Sequence, residues 1–394
     1  MTVAWRAWAS AALAFLAPAA AFAEQADLAN MVDDLQRIQL QIAQGDRAAY
    51  KAQLNLLKTI GAAIAAAEPK TWRDRRAADS LVIYILSGGS LAELTPLLKG
   101  DAVVDSERPL ALGALAYVTN HEAEAIGLLG KEDLNDLDSR LAGEVAFARS
   151  VLETKRDAKA AIGLLDWARL LQPGGLVEEA ALRREIALLA ETKDIGRAAM
   201  LIRQYATRFA ASLYAADFFR DLAAAIVRFG LADEADNYKL LSRAVEALPP
   251  GGRRDFLLTL ARRAVVDGRF AAGAAAAAEA LKGVEADSPE GARARLYLAA
   301  SRMFSDAYDA AAADLRTIAA SKLDRADVSL LAAVRRVAFE LRIVPETGFV
   351  SSSGASLDDA DKDKAKGPAL TIERARDALE RTAGLLNVGG GGKP

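Results

Sequence analysis

Apolar side chains recur along this chain at the spacing of amphipathic helices. Near the N-terminus, five of them would share one helix face: Leu28, Val32, Leu35, Ile38 and Ile42. A second stripe of the same kind lies much later in the chain: Val328, Leu331, Val334, Ala338 and Leu341. Strict alternation of apolar and polar residues, which is the pattern of a half-buried strand, almost never occurs. The sequence therefore predicts an all-α protein.

The helices are predicted to form repeated hairpins, because several segments share the plan of helix, tight turn and helix. A small residue opens each second helix: Ala125, Ala161, Ala199, Ala235, Gly273 and Ala311. Consecutive members of this set are 36 or 38 residues apart. A lone hairpin cannot bury its apolar stripe, so neighbouring hairpins stack and share a core. We expect a superhelical α-solenoid of divergent tetratricopeptide-like repeats, whose usual period is about 34 residues.

The first residues have the features of a signal peptide. A single positive charge at Arg6 precedes an apolar run, Pro18 interrupts that run, and Ala21-Phe22-Ala23 has the small side chains of a cleavage site. We expect residues 1–23 to be removed and the mature chain to be periplasmic. The alternative is an uncleaved N-terminal anchor. No later segment is apolar for long enough to cross a bilayer, so no membrane insertion is expected after cleavage.

Composition divides the rest of the chain. Residues 24–344 are predicted to be the helical repeat domain, and residues 345–369, rich in serine and alternating charge, a flexible linker. Residues 370–386 have the pattern of a C-terminal amphipathic helix, and residues 387–394 that of a disordered tail. The amphipathic helix needs apolar surface to bury against, so it either docks on the repeats or serves a partner.

Charge and cysteine content exclude several classes of protein. The formal net charge is −3 and the bases are interspersed with acids, which argues against binding of nucleic acid or of anionic membranes. The chain contains no cysteine, so no disulfide can stabilise it even in an oxidising compartment. Stability must come from core packing, for which 52% apolar residues suffice.

No catalytic, cofactor or metal site is predicted. His121 is the only histidine, and a lone histidine in a turn makes a poor metal site. The acidic loop from Glu132 to Arg140 lacks the glycine and the final glutamate of a calcium loop. The turns Leu86–Ser90 and Pro249–Gly252 lack the lysine and glycine spacing of phosphate loops. The chain is therefore expected not to be an enzyme, although a pair of distant carboxylates could still form a glycosidase site.

The stretch from Gln172 to Ile186 concentrates opposite charges: Glu178, Glu179, Arg183, Arg184 and Glu185. Pro173-Gly174-Gly175 would end one helix, and the next would begin near Leu176. Carboxylates in a first turn favour the helix dipole, and Glu179 with Arg183 forms an acid-first pair four residues apart. The helix-start interpretation explains these residue types. The competing hypothesis is a partner-binding surface made by Glu178, Glu179, Arg183 and Arg184.

The segments Leu164–Glu191 (LLDWARLLQPGGLVEEAALRREIALLAE), Met31–Tyr50 and Arg108–Val118 resemble the MotC family of periplasmic motility proteins of flagellated α-proteobacteria. The resemblance extends from about Asp27 to Val344. It implies a role in flagellar rotation, with the periplasmic region of the stator subunit MotB as the partner that is stabilised or positioned. It implies no individual site residue.

Two other functions remain open at this point. One is a periplasmic scaffold for envelope or cell-wall assembly, including peptidoglycan metabolism. The other is an envelope-assembly or secretion protein whose repeats bind extended peptides. Neighbouring genes would separate them, because motor genes favour the motility function and envelope-biogenesis genes the others.

Overall fold

Helices are the only regular elements in the part of the chain that the computed structural model describes, residues 28–92, 94–99 and 108–343. The predicted signal peptide, linker, C-terminal amphipathic helix and tail lie outside these described residues. The all-α class is confirmed. None of the described helices is both long enough and apolar enough to span a membrane.

Two compact units divide the chain, with a boundary between Ala181 and Leu182. The helices that lie in the first unit are α1 Leu28–Ala43, α2 Arg47–Ala66, α3 Arg75–Leu86, α4 Leu94–Lys99, α5 Arg108–Val118, α6 Glu122–Leu129, α7 Ser139–Glu153 and α8 Ala158–Leu171. The boundary falls inside α9, Leu176–Glu191. The helices of the second unit are α10 Ile195–Arg208, α11 Ala215–Arg228, α12 Ala235–Ala244, α13 Pro250–Val266, α14 Phe270–Ala280, α15 Pro289–Arg302, α16 Tyr308–Thr317 and α17 Arg325–Ile343.

Successive helices pack as hairpins within each unit. In the first unit α1 packs on α2, α5 on α6 and α7 on α8, and α3 also contacts α1, α5 and α7. In the second unit α13 packs on α14 and α15 on α16, while α14 also contacts α15. The predicted array of stacked helical hairpins is thereby confirmed. The likeness to tetratricopeptide repeats and the superhelical path remain predictions.

The small residues that defined the period lie in the second helix of each hairpin, as the spacing predicted. Those of α6, α8, α10 and α16 are buried: Ala125, Ala161, Ala199 and Ala311. In α14 a Cβ added to Gly273 would lie 2.7 Å from Ser301 Oγ of α15, so only glycine allows this approach. Ala235 differs, since it is exposed at the first position of α12.

The hairpin turns share a local chemistry. Asp46 accepts hydrogen bonds from the backbone N–H groups of the next helix, and Asp157 and Asp194 do the same for α8 and α10. Such caps satisfy donors that a helix start leaves unpaired. The residue that reverses the chain before the second helix has a left-handed backbone, with φ of 73° at Gly268 and 59° at Lys193. Capping and turn geometry thus recur with the hairpins.

The polyalanine stretch of α14 lies in the core of its unit. Ala272, Ala276, Ala277 and Ala280 are buried, and α14 packs on both α13 and α15. Side chains without bulk let three helices approach closely. Larger side chains fill the interior elsewhere, and Trp72, Tyr84, Tyr205 and Tyr297 are fully buried.

Candidate functional site

The central charged segment is a helix start, as predicted. The helix α9 begins at Leu176, and the preceding Gly174 has a φ of 89°, which ends α8 in a left-handed turn. The carboxylate of Glu178 accepts a hydrogen bond from the backbone N–H of Gly174. A side chain in the first turn that reaches back to the N–H groups before its helix resembles half of a capping box.

The two first-turn carboxylates are not surface groups. Glu178 is 1% exposed and Glu179 is fully buried. The usual stabilisation of about 0.3–1 kcal/mol by the helix dipole applies to solvated carboxylates and does not describe this buried pair. A buried carboxylate must be stabilised by specific hydrogen bonds or charges, since desolvation is costly.

The next turn of α9 is bound to its own unit by charged side chains. Glu185 is fully buried, and one of its carboxylate oxygens lies 2.6 Å from the guanidinium of Arg197 in α10. The guanidinium of Arg183 lies 4.9 Å from the ring centre of Tyr214, a cation–π contact. Arg184 is half-buried, like Arg183. Contact of Glu178, Glu179, Arg183 or Arg184 with a partner stays a prediction. Only the two arginines retain solvent-exposed surface for such a contact.

Sequence reasoning did not identify the buried glutamate of α7. Glu144 lies in the interior, where burial raises the pKa of its carboxyl to about 7 although a hydrogen bond with Gln172 acts in the opposite direction. The amide of Gln172 also donates to the backbone oxygen of Arg140. A Cβ added to Gly143 would lie 2.8 Å from Gln172 Cγ, so the side chain of Gln172 lies directly on α7. These contacts of Gln172 hold the C-terminal end of α8 against α7.

The lone histidine and the acidic loop have structural partners. His121 is the residue before α6, but its side chain does not cap the helix, and its Nδ1 lies 2.8 Å from Thr119 Oγ1. Asp133 accepts hydrogen bonds from the backbone and side chain of Asn135 and caps the 3-10 turn Leu134–Asp136. Within residues 28–92, 94–99 and 108–343, no cluster of three or more His, Asp or Glu side chains is arranged to hold a metal ion.

A polar cluster in the second unit joins three helices around Glu279 of α14. Its carboxylate accepts hydrogen bonds of 2.7 Å from Tyr238 Oη and Ser242 Oγ of α12, and another from Arg253 of α13. Burial pushes the pKa of Glu279 upward, but the hydrogen bonds from Ser242 and Tyr238 and the charge of Arg253 outweigh it and leave that pKa below its usual range. Burial and the nearby carboxylate together raise the pKa of Tyr238. Glu279 is therefore a charged group whose partners are already in place.

An open groove lies beside this cluster, and we call it the α12–α14 groove. Its volume is about 450 Å³. Charged side chains line its walls: Glu246, Arg253, Arg254, Glu279 and Lys282. Leu248, Leu257 and Ala280 also line it, although all three are buried. Ligand pockets are commonly lined by mostly apolar surface with a few polar groups, whereas most of the residues that line this groove are charged.

The comparisons with known proteins concern nearly the whole chain. The family model described as "Chemotaxis protein MotC" matches residues 1–390. The protein named "Chemotaxis protein MotC" from Rhizobium meliloti (strain 1021) is 29% identical over 314 residues, which cover 78% of this chain and 71% of that protein. No solved structure is significantly similar to the chain.

Proposed function

Because this chain belongs to the MotC family, and is thus a protein of chemotaxis and motility, we propose that it is a periplasmic, non-enzymatic adaptor of the flagellar motor. In this function it binds and stabilises the periplasmic region of the stator subunit MotB, and flagellar rotation depends on it. The observation that carries the proposal is the family match, which extends over residues 1–390.

Two further features support the location and the kind of function. The signal-peptide pattern of residues 1–23 favours export, and the matched region includes it. The helical hairpins favour protein recognition, because arrays of such repeats present extended surfaces to partners. The carboxylates of Glu185, Glu279 and Asp327 each bind side chains of neighbouring helices, as expected of groups that hold a helical array together.

Genetic deletion tests the motility part of the proposal. A deletion strain should assemble normal flagella that are paralysed or rotate slowly, because an adaptor of the stator acts after filament assembly. The full-length gene should restore swimming, whereas a gene that lacks residues 1–23 should not, since its product stays in the cytoplasm. Bald cells, or normal swimming of the deletion strain, would contradict the proposal.

Binding to the stator is tested separately. The mature chain and the periplasmic region of MotB should co-purify, and crosslinks between them should map to defined helices. An unrelated periplasmic helical protein of similar charge is the control. If motility is lost on deletion but neither co-purification nor crosslinking recovers MotB, the adaptor part is wrong while the role in motility stands. Binding to purified peptidoglycan without MotB would favour the cell-wall scaffold instead.

A further inference from the structure

Helix α2 presents a straight row of cations to solvent. Arg47, Lys51 and Lys58 are exposed and, at about 100° per residue, lie within about 40° of one another around the helix. The row lies outside the buried face, on which α2 packs against α1 and, less extensively, α3. The helix itself contains no acidic residue. We call these three residues the α2 cation row.

No carboxylate of the surrounding chain neutralises this row. The four carboxylates of residues 28–70 are already bound: Asp46 by the backbone N–H groups that it caps, Glu68 by Lys70, Asp33 by Arg76 and Arg140, and Asp34 by Arg37. Among the residues that the structure describes, none forms an ion pair with a cation of the row. Three positive charges therefore remain for an external anion.

We propose that the α2 cation row docks the first unit on an anionic phospholipid surface. Neither the family match nor the proposed function assigns a ligand to this helix. The contact is made at the surface of the bilayer, since none of the described helices can span a membrane. The proposal goes beyond the adaptor function and can be tested without MotB.

The net charge of the whole chain hides this local excess. A total of −3 argues against attraction to an anionic surface only if the charges are evenly mixed. Salt screens charges that are more than about 8–10 Å apart, so a bilayer in contact with α2 is affected mainly by the cations of that helix. Each lysine or arginine near an anionic bilayer strengthens binding by about fivefold.

The apolar residues beside the row favour a lipid surface over a folded protein. Of the large apolar side chains of α2, only Tyr50 and Leu54 are exposed, at 42% and 47%. A stable protein interface needs a well-packed apolar core, which two such side chains do not provide. Helices that lie on bilayers combine lysine and arginine with a few apolar side chains, and tyrosine is enriched at the bilayer surface.

The test is co-sedimentation of the purified mature chain with vesicles at low ionic strength. The anionic vesicles contain equal parts of phosphatidylcholine and phosphatidylglycerol, and the neutral ones phosphatidylcholine alone. We expect binding to the anionic vesicles to be at least about tenfold tighter and to weaken as salt is added. Equal binding to both kinds of vesicle, or no binding to either, would overturn the proposal.

Charge reversal locates the contact on α2. The double variant Lys51→Glu/Lys58→Glu should lose at least about twentyfold in affinity for the anionic vesicles, because two attractions become repulsions. The control Lys131→Glu/Lys159→Glu makes the same change of charge at two exposed lysines of the same unit. It should lose much less. An equal loss in both variants would show that only net charge matters and would exclude the row.

A gain of affinity guards against misfolded variants. Asn55 is exposed beside the row, and Asn55→Lys should strengthen binding to the anionic vesicles about threefold or more, which misfolding cannot produce. Leu54→Ser should weaken it, whereas Leu170→Ser, at a leucine of α8 that is 77% exposed, should not.

Poly-glutamate distinguishes a lipid surface from an acidic protein. If the chain binds poly-glutamate through Lys51 and Lys58 but does not bind anionic vesicles, the row serves an acidic protein and the proposal is wrong. That result would leave the adaptor function untouched, because the vesicle experiment contains no MotB.

Discussion

The phenolic hydroxyl of Tyr297 in α15 donates a hydrogen bond of 2.7 Å to the carboxylate of Asp327 in α17, and neither residue is exposed to solvent. The same carboxylate accepts from Arg262 Nε at 3.1 Å and from Arg293 Nε at 3.2 Å. Asp327 thereby joins α13, α15 and α17 at one point. This buried carboxylate with three side-chain donors connects the hairpins to which these helices belong.

Removal of this carboxylate should destabilise the second unit. Asp327→Ala leaves two guanidinium groups without their acceptor, and we expect a loss of about 2–3 kcal/mol in the free energy of unfolding. The loss stays below the about 3–5 kcal/mol of fully buried pairs because the two arginine side chains are 33% and 29% exposed. Urea unfolding followed by circular dichroism measures it. Asp306→Ala, at an exposed turn position, should change stability by less than about 0.5 kcal/mol. Equal midpoints for the two variants would contradict the prediction.

Glu144 should make stability depend on pH in an unusual direction. Its pKa is about 7 in the folded chain against a reference value of 4.5, so the folded state holds the proton more tightly. Stability should therefore fall as the pH rises from about 4.5 to 7 and then level off, by up to about 3 kcal/mol. Glu144→Gln resembles the protonated form, so it should remove this slope and stabilise the protein at pH 8 but not at pH 5.

The control for Glu144→Gln is Glu191→Gln, since that glutamate is exposed at the end of α9. The test is to measure the free energy of unfolding of both variants and of the parent between pH 5 and 8. Only Glu144→Gln should remove the pH dependence. A parent protein that grows more stable over this range relative to Glu144→Gln would show that the carboxylate is stabilised by contacts and not penalised by burial.

Two glycines within helices should respond oppositely to the same substitution. Gly163 is exposed in the middle of α8 and has nothing within 4 Å of an added Cβ, so Gly163→Ala should stabilise by about 0.5–1 kcal/mol. Gly273 in α14 faces Ser301 Oγ at 2.7 Å and Val265 Cγ2 at 3.4 Å, so Gly273→Ala should destabilise by about 1–3 kcal/mol. Thermal unfolding of both variants tests the close approach of α14 to α15. If Gly273→Ala raised the thermal stability as much as Gly163→Ala does, the close approach of α14 to α15 would be excluded.

Reversal of charge at Arg184 tests the hypothesis of a partner surface on α9. If Arg184 contacts MotB, Arg184→Glu should weaken co-purification of MotB while the unfolding midpoint stays near that of the parent, because the side chain is half-buried and retains exposed surface. Arg302→Glu is the matched exposed control. If Arg184→Glu lowers stability but leaves MotB binding unchanged at a temperature where the variant is folded, Arg184 stabilises the fold and does not contact MotB.

Features that depend on near neighbours in the chain could be predicted from the sequence. The helix start at Leu176 followed from Pro173-Gly174-Gly175, and the positions of α6, α8, α10, α12, α14 and α16 followed from the recurring small residues. Both depend on turn chemistry and on helical periodicity, which act over a few residues. For the same reason the central segment could be assigned to a helix and not to an active site.

The sequence alone thus determined the helical class, the hairpin period and most helix starts, because backbone preference and apolar spacing are local properties. Only the tertiary structure decided which charges are buried and what binds them. Glu178 and Glu179 are both buried at the start of α9, and Glu185 binds a cation twelve residues later in α10. The groove beside Glu279 likewise depends on packing, because its lining joins residues 246–257 to residues 279–282 of a later part of the chain.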